Sequence, residues 1–225
     1  MVRLKDYTRE RHELITSLER QGIIRSRNVK SAMLDVPREL FAPDNHRAQS
    51  YIDAPLPLGG TGQTISAPHM VAMMLEELDL SEGLRVLEIG CGSGYNAACL
   101  ARMVGTAGKV VSLEVRDDLV EFARQNLVSS GFSGVEVHAA DGAWGWPKGS
   151  RDEIYERIVL TAGAREMPSA LTHQLRRGGV LLAPLGEAPV QQLTKLRKSE
   201  RGELSVSVIC DCIFVPLIEG EPASP

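Results

Sequence analysis

The sequence has no long apolar run and no marked excess of either charge. None of its apolar stretches approaches the roughly 18 to 20 residues that a membrane-spanning helix requires. Lys and Arg number 25 and Asp and Glu number 29, which gives a formal net charge of −4. This balance provides no overall field for holding a polyanion, so a dedicated nucleic-acid-binding domain is disfavoured. We therefore expect neither a membrane nor a nucleic acid as partner.

The sequence is also poor in cysteine and shows no secretory leader. Residues 1–11 are rich in charged side chains and lack the apolar segment of a signal peptide, which predicts a cytoplasmic protein. The four cysteines have neither the spacing of a metal-binding knuckle nor the density of a disulfide scaffold; they are Cys91, Cys99, Cys210 and Cys212. We expect buried, reduced thiols and no metal site.

The composition is that of a folded globular protein. Apolar residues make up 43% of the chain and charged residues 24%, which argues against disorder as the main state. A length of 225 residues suits one α/β domain with additions at its ends.

Hydrophobic periodicity predicts alternating strands and helices in the middle of the chain. The predicted strands there are residues 85–89, 109–113, 135–138 and 158–161, and the predicted helices are residues 95–103, 117–128 and 171–175. Helices over residues 7–22 and 29–36 precede this unit, and strands over residues 180–185, 191–197 and 204–212 follow it. The alternation implies a parallel sheet covered on both faces, with antiparallel pairing at one edge.

The segment between the second helix and the first strand contains a loop and a helix start. Residues 51–63 hold too many Pro and Gly residues for regular structure. A helix is predicted to begin near Ser66, whose hydroxyl could cap it, and Pro68 suits the first turn.

Three closely spaced glycines separate the first strand of the alternating unit from its helix. Gly90, Gly92 and Gly94 lie where the carboxyl end of a sheet lets the backbone approach a ligand. Glu114 ends the next strand about 20 residues further on, where a carboxylate can accept both ribose hydroxyls. The negative charge of Glu88 would attract a ligand that carries a sulfonium and an ammonium, whereas it would repel a pyrophosphate. The pattern therefore favours S-adenosylmethionine.

Asp141 and Gly142 extend this pattern to the third strand. The Asp141 carboxylate could accept from the adenine amino group, and Gly142 leaves room for the ring. For Asp141 alone, an ordinary turn is the alternative interpretation. Together with the glycines, these residues predict an α/β protein of the class I S-adenosylmethionine-dependent methyltransferase type.

Two neighbouring classes are disfavoured. The spacing G-x-G-x-G followed by Tyr95 departs from the G-x-G-x-x-G of dinucleotide-binding proteins, which argues against NAD and FAD. Enzymes that methylate base amines commonly carry Asn or Asp, two prolines and an aromatic residue after the fourth strand. Here residues 161–164 read Thr-Ala-Gly-Ala, which offers no stacking platform.

The sequence resembles the protein-L-isoaspartate (D-aspartate) O-methyltransferase family from about residue 12 to residue 218. The segments that carry the resemblance are residues 55–59, 63–72, 86–95, 141–142, 174–179 and 214–217. The specific part runs from Thr64 to Met70, because many methyltransferases share the glycine loop.

The resemblance implies a Rossmann-like, seven-stranded and mostly parallel sheet with N-terminal helices and a strand-rich C-terminal extension. It implies methyl transfer from S-adenosylmethionine to the free carboxylate of L-isoaspartyl residues in damaged proteins and peptides, which starts repair through a succinimide. Acceptance of D-aspartyl residues stays open, and we expect a monomer.

Within this single domain, residues 1–65 would form the N-terminal helices and a substrate and cofactor loop, and residues 66–185 the cofactor-binding core. Residues 186–218 would close the peptide site, and residues 219–225 would form a loose tail.

The resemblance also implies a set of site residues. Ser66 matches the active-site serine. The residues implied to bind the cofactor are Glu88, Gly90, Gly92, Gly94, Glu114, Asp141, Gly142 and His69. Those implied to bind the substrate are Leu58, Thr64, Ile65, Val215 and Pro216.

Methyl transfer to a carboxylate requires alignment of the reactants more than a strong base. A side-chain carboxyl titrates near about pH 4, so the nucleophile is already ionised at neutral pH. The enzyme has to hold the carboxylate oxygen roughly 3 to 3.5 Å from the methyl group and exclude water, and Ser66 would position the substrate.

Two alternatives stay open: a methyltransferase for a small molecule or RNA, and a protein that binds the cofactor without catalysis, with Ser66 as a plain helix cap.

Overall fold

The computed structural model describes residues 6–218, and the predicted loose tail lies outside the described residues. The helices are α1 Thr8–Arg20, α2 Arg27–Asp35, α3 Pro68–Glu77, α4 Tyr95–Val104, α5 Asp117–Ser129 and α6 Ser169–Gln174. The strands are β1 Leu56–Pro57, β2 Thr64–Ile65, β3 Arg85–Ile89, β4 Lys109–Glu114, β5 Glu136–Ala139, β6 Tyr155–Leu160, β7 Leu175–Leu185, β8 Gln191–Lys198 and β9 Leu204–Cys212. Short 3-10 helices cover Arg38–Leu40, Arg47–Gln49, Gly59–Thr61 and Gly142–Trp144.

Seven of these strands form one sheet in the order β5-β4-β3-β6-β7-β8-β9. The pairs from β5 to β7 are parallel, and β8 and β9 pair antiparallel at the end of the sheet. The predicted seven-stranded, mostly parallel sheet with antiparallel strands at one edge is therefore confirmed. The carboxyl ends of the central parallel strands meet along one edge, which is where ligands bind in such folds.

Side chains alternate between two apolar cores on the two faces of the sheet. In β3, Val86 packs into the core that contains α4 and α5, whereas Leu87 and Ile89 pack into the core that contains α6. Period-two alternation in a strand buried on both faces produces this division. Glu88 points to the same face as Val86 and is fully buried there.

The N-terminal helices belong to the same core as α4. Leu18 of α1 and Met33 of α2 are buried in it, and Arg102 of α4 forms an ion pair of 2.7 Å with Asp35. Ser26 accepts a hydrogen bond from the backbone N–H of Val29 at 3.2 Å and so caps α2.

Two local predictions between α2 and β3 were wrong. Residues 51–63 are not wholly irregular, because β1 pairs antiparallel with β2, and Leu58 donates its N–H to the Gln63 carbonyl at 2.8 Å. Gly62, with a φ of +80°, closes this turn. Ser66 does not cap α3: the N-cap residue is Ala67, and no side chain at that position accepts a cap hydrogen bond.

The end of the sheet is unusually apolar. In β9, Leu204, Val206 and Val208 are all more than half exposed. Among residues 6–218, no helix is both long and apolar enough to cross a membrane.

Candidate functional site

The predicted site residues converge on a cleft with about 860 Å³ of empty space at the carboxyl edge of the sheet. Clefts at this edge of parallel sheets typically bind small molecules. One side, here called the strand-end wall, consists of Gly90, Gly92, Glu114 and Gly142, which follow or end the parallel strands. The other side, the segment wall, consists of residues 63–66 and 215–218.

Nine of the predicted residues line this cleft, and five do not. The nine are Thr64, Ile65, Ser66, Gly90, Gly92, Glu114, Gly142, Val215 and Pro216. The five that are absent from its lining are Leu58, His69, Glu88, Gly94 and Asp141.

The glycine loop is held against the ends of the neighbouring strands. The N–H groups of Gly90 and Cys91 donate to the Leu113 carbonyl at 2.8 and 3.0 Å. Gly90 has a φ of +97°, and a Cβ there would collide with Oγ1 of Thr161. Thr161 in turn donates to the carbonyl of Ile89 at 3.0 Å. The loop therefore leaves no room for a side chain at Gly90, and its backbone is exposed to the cleft.

Glu114 is fixed by backbone donors before any ligand arrives. Its Oε2 accepts from the Gly92 N–H at 2.9 Å, and its Oε1 accepts from the N–H groups of Val115 and Arg116 at 3.0 and 3.2 Å. Charge-assisted bonds of this kind orient a carboxylate firmly. The last residue of β4 thus presents a buried anion to the glycine loop, as the ribose-binding prediction requires.

Glu88 does not line the cleft, and its predicted contact with the cofactor stays a prediction. It is fully buried; its Oε1 accepts from Asn96 Nδ2 at 2.8 Å, and the Ser112 hydroxyl donates to Oε2. Burial raises the pKa of Glu88 to about 7, although both hydrogen bonds lower it. Asn96, in the first turn of α4, lies between this carboxyl and the cleft. Asn96 thus links the Glu88 carboxyl to the cleft.

Gly94 and Asp141 shape the wall from behind. Gly94 precedes α4 with a φ of +86°, and a Cβ there would lie 3.1 Å from Leu127 of α5, so its small size serves helix packing. Asp141 caps the short helix Gly142–Trp144 by accepting from the Ala143 N–H at 2.9 Å. The interpretation of Asp141 as a turn residue is therefore confirmed. Contact of either residue with the cofactor stays a prediction.

Gly142 lies against the last residue of β3. A Cβ at this position would collide with the side chain of Ile89. Only glycine fits such a contact without displacing the strand. Gly142 lines the cleft beside Ala140, which leaves a flat apolar surface there.

The first half of the segment wall is held by an arginine from the N-terminal region. Thr64 and Ile65 form β2, and Ser66 follows it, half-buried. The Ser66 carbonyl accepts from Nη2 of Arg38 at 2.9 Å. Leu58 is buried behind this segment, and its side chain lies 3.5 Å from the position that a Cβ on Gly92 would occupy.

The second half of the segment wall pairs with the loop after β6. Gly163 donates to the Val215 carbonyl at 2.8 Å, and Leu217 donates to the Gly163 carbonyl at 2.7 Å. Gln191 Oε1 accepts from the Phe214 N–H at 2.9 Å. The small residues that offer no stacking platform here make room for a neighbouring chain segment.

His69 does not line the cleft, and its assignment as a cofactor residue stays a prediction. Its backbone N–H and its ring Nδ1 both lie 2.9 Å from Oδ1 of Asp53. His69 is the second residue of α3, so Asp53 supplies the cap acceptor that neither Ser66 nor Ala67 provides. The same oxygen therefore holds both the His69 backbone N–H and its ring.

Several cleft residues were not predicted. Tyr95 and Asn96 begin α4, and Val71 and Met74 of α3 line the opposite side. The first turn of the helix after a glycine loop faces the ligand in this fold type, so position alone could have suggested Tyr95 and Asn96. No comparable signal marks the α3 residues, which read as ordinary core.

The residues present fit S-adenosylmethionine. Gly90 and Gly142 form a cradle that any Cβ would fill, and Glu114 offers a carboxylate for hydroxyl groups. Among the described residues, Oδ1 of Asn96 is a buried acceptor without a hydrogen-bond donor, and Asn96 lines the cleft. An acceptor of this kind suits a cationic amino group. Together the sheet order and this cleft define a class I S-adenosylmethionine-dependent methyltransferase.

Comparison with known proteins narrows this class. The family model described as protein-L-isoaspartate(D-aspartate) O-methyltransferase matches residues 9–222. A protein-L-isoaspartate O-methyltransferase of Methanopyrus kandleri is 44% identical over 218 residues, which cover 96% of this chain and 95% of the relative. One from Staphylothermus marinus is 46% identical over 218 residues, which cover 94% and 95%.

Solved structures agree with the sequence relatives. A Plasmodium falciparum protein assigned as a protein-L-isoaspartate O-methyltransferase, in complex with S-adenosyl-L-homocysteine, is similar with a TM-score of 0.83 and 28% identity. The similarity covers 93% of this chain and 99% of the other. The chain belongs to the protein-L-isoaspartate (D-aspartate) O-methyltransferase family.

Proposed function

We propose that this chain transfers the methyl group of S-adenosylmethionine to the free carboxylate of L-isoaspartyl residues in damaged proteins and peptides. Family membership supports this reaction. The observation that carries it in this molecule is the segment wall: residues 64–66 and 215–217, which belong to segments that carry the family resemblance, line one cleft with the strand-end wall. A substrate entering there lies directly beside the glycine loop.

The residues of the strand-end wall would bind the cofactor. When bound, S-adenosylmethionine supplies an activated methyl group. Glu114 would accept the ribose hydroxyls, Gly90 and Gly142 would admit the nucleoside, and Asn96 Oδ1 would accept from the amino group. Asp141 would contribute to adenine binding from its place between Ala140 and Gly142.

The segment wall would align the substrate. An isoaspartyl carboxylate is ionised at neutral pH, so no general base is needed. Thr64, Ile65, Val215 and Pro216 would enclose the extended peptide and exclude water, and Ser66 would hold the carboxylate in line with the methyl group. His69 is held by Asp53, so it is not poised to activate Ser66 as a nucleophile.

The test uses two peptides that differ only in isoaspartate or aspartate at one position, with methyl-labelled S-adenosylmethionine. Base-labile label on the isoaspartyl peptide alone is the expected result. Label on neither peptide, with cofactor binding intact, would exclude the proposed substrate. It would favour a methyltransferase for a small molecule or RNA, or a protein that binds the cofactor without catalysis.

The role of Ser66 is tested by Ser66→Ala. We expect kcat/KM for the isoaspartyl peptide to fall about 30-fold, roughly 2 kcal/mol of transition-state stabilisation, because one charge-assisted hydrogen bond is lost. The affinity for S-adenosyl-L-homocysteine, measured by calorimetry, should stay within twofold. A variant with unchanged kcat/KM would remove Ser66 from the mechanism.

We also propose that the chain acts as a monomer in the cytoplasm, without nucleic acid. Both walls of the cleft come from one chain, and the four cysteines are unpaired, which suits a reducing compartment. Light scattering during gel filtration tests the monomer: a dimer that persists at nanomolar concentration would contradict it.

A further inference from the structure

Arg38 is among the most deeply buried side chains of the described chain, although it carries a charge. Its exposed fraction is 1%, and it begins the short helix Arg38–Leu40. Among residues 6–218, its hydrogen bonds go to backbone carbonyls and not to a carboxylate, and its Nη1 is buried without a hydrogen-bond partner. A buried guanidinium without a carboxylate partner is costly, so its retention calls for a reason.

The hydrogen bonds of Arg38 connect two separate segments. Nε donates to the Ser50 carbonyl at 3.0 Å, and Nη2 donates to the Ser66 carbonyl at 2.9 Å. A guanidinium can span two acceptors in one plane, whereas the ammonium of a lysine is a single point charge. Arg38 thus ties the turn before the β1-β2 hairpin to the residue that follows it.

A third contact joins Arg38 to the floor of the cleft. Its Cζ lies 4.9 Å from the ring centroid of Tyr95, which lines the cleft and is itself packed edge-on against Phe41. A cation over a desolvated aromatic ring is held more firmly than one in water. The guanidinium is therefore fixed on both sides: by carbonyls in its plane and by a ring against its face.

We infer that Arg38 is a positioning residue that sets the place of Ser66 in the segment wall. This rests on the proposed function, because the role of Ser66 belongs to it. Arg38 does not line the cleft. It fixes the Ser66 carbonyl and, through the short backbone between carbonyl and side chain, the direction of the hydroxyl.

The main test combines Arg38→Lys with Ser66→Ala. Lysine keeps the charge but cannot reach both carbonyls. We expect Arg38→Lys to lower kcat for the isoaspartyl peptide at least tenfold while the affinity for S-adenosyl-L-homocysteine stays within twofold. In the Ser66→Ala background, Arg38→Lys should lower kcat less than twofold, because both substitutions remove the same contribution, that of the positioned Ser66 hydroxyl.

Arg47→Lys is the matched control. Arg47 lies nine residues further along the chain, and its Nε also donates to a backbone carbonyl, that of Glu39 at 3.1 Å. We expect it to leave kcat unchanged. A tenfold loss for Arg38→Lys that persists in the Ser66→Ala background, or a lower melting temperature with normal kcat, would overturn the inference.

Hydrogen exchange gives a readout that does not depend on activity. Arg38→Lys should speed amide exchange in residues 63–66 at least tenfold and leave residues 90–94 unchanged. If the wild type proves inert on the peptide but this exchange pattern is observed, the proposed function fails and the positioning role of Arg38 stands. Unchanged exchange in residues 63–66 would overturn the positioning role, whatever the activity.

Discussion

The two walls of the cleft are built in different ways. The strand-end wall follows from the sheet: its residues end parallel strands or follow them directly, and backbone hydrogen bonds such as Gly92 to Glu114 fix it. The segment wall is held by contacts between residues far apart in sequence, such as Arg38 with Ser66 and Gly163 with Val215. The first wall is common to a fold class, and the second distinguishes a family within it.

The largest effect on the strand-end wall is expected from a substitution that adds a Cβ there. Gly90→Ala places a methyl group against Thr161 at a φ of +97°. We expect the affinity for S-adenosyl-L-homocysteine to fall at least 100-fold, about 3 kcal/mol, from strain and collision together. Calorimetry checks this. Gly131→Ala, also at a positive φ but with nothing within 4 Å, is the control and should bind normally.

The buried carboxyl behind the strand-end wall predicts a pH dependence of stability. The pKa of Glu88 is raised to about 7 from an ordinary value of 4.5. The folded state thus binds this proton more tightly than the unfolded state, so its stabilising contribution is complete below pH 4.5 and is lost as the pH rises through 7. The free energy of unfolding should lose about 3 kcal/mol over that window through this group.

Glu88→Gln should remove this part of the pH dependence, because an amide does not titrate. Urea unfolding between pH 4.5 and 8 measures it. Glu121→Gln, at an exposed position on α5, should leave the wild-type slope in place. Identical slopes for wild type and Glu88→Gln would show that this carboxyl stays ionised in the fold.

Loosening the segment wall should affect the substrate and spare the cofactor. Gln191→Ala removes the acceptor of the Phe214 N–H and leaves a space beside Gly163. We expect KM for the isoaspartyl peptide to rise about tenfold, near 1.4 kcal/mol, with normal binding of S-adenosyl-L-homocysteine. Gln192→Ala, the exposed neighbour on β8, should match the wild type. Equal losses for peptide and cofactor would mean that the two walls are not separable.

The smallest expected effect concerns the cap of α3. Asp53→Ala leaves the His69 N–H without its acceptor, and the free energy of unfolding should fall by about 1 kcal/mol. For a protein of this size the melting temperature should drop by about 2 to 4 °C. Asp53→Asn keeps an oxygen acceptor and should lose less than half as much. An Asp53→Ala melting curve identical to the wild type would exclude the capping role.

The same contrast explains what the sequence could predict. The order of strands and helices, and the meeting of Gly90, Glu114 and Gly142, follow from hydrophobic periodicity and the geometry of parallel strands. Hydrophobic periodicity also predicted β8 and β9, and their place at the antiparallel edge of the sheet. These features depend on spacing along the chain, which a sequence contains directly.

The sequence could not show contacts in which distant residues compete for one group. Ser66 has the right residue type for a cap, but Asp53 takes that role from outside the helix and turns His69 with it. Glu88 has the right charge for a ligand contact, but the sequence did not show that its carboxyl accepts from Asn96 and Ser112. Arg38 gave no signal at all, since a single arginine near a proline predicts an exposed side chain.

The pairing of Gly163 with residues 215–217 also sets the order in which the cleft is completed during synthesis. A ribosome extends the chain from its amino end, so β3, β4 and β6 leave the tunnel before residues 215–217 have been added. The strand-end wall can therefore take shape on a nascent chain. The opposite side stays incomplete until residues 215–217, which follow β8 and β9 in the chain, can pair with Gly163.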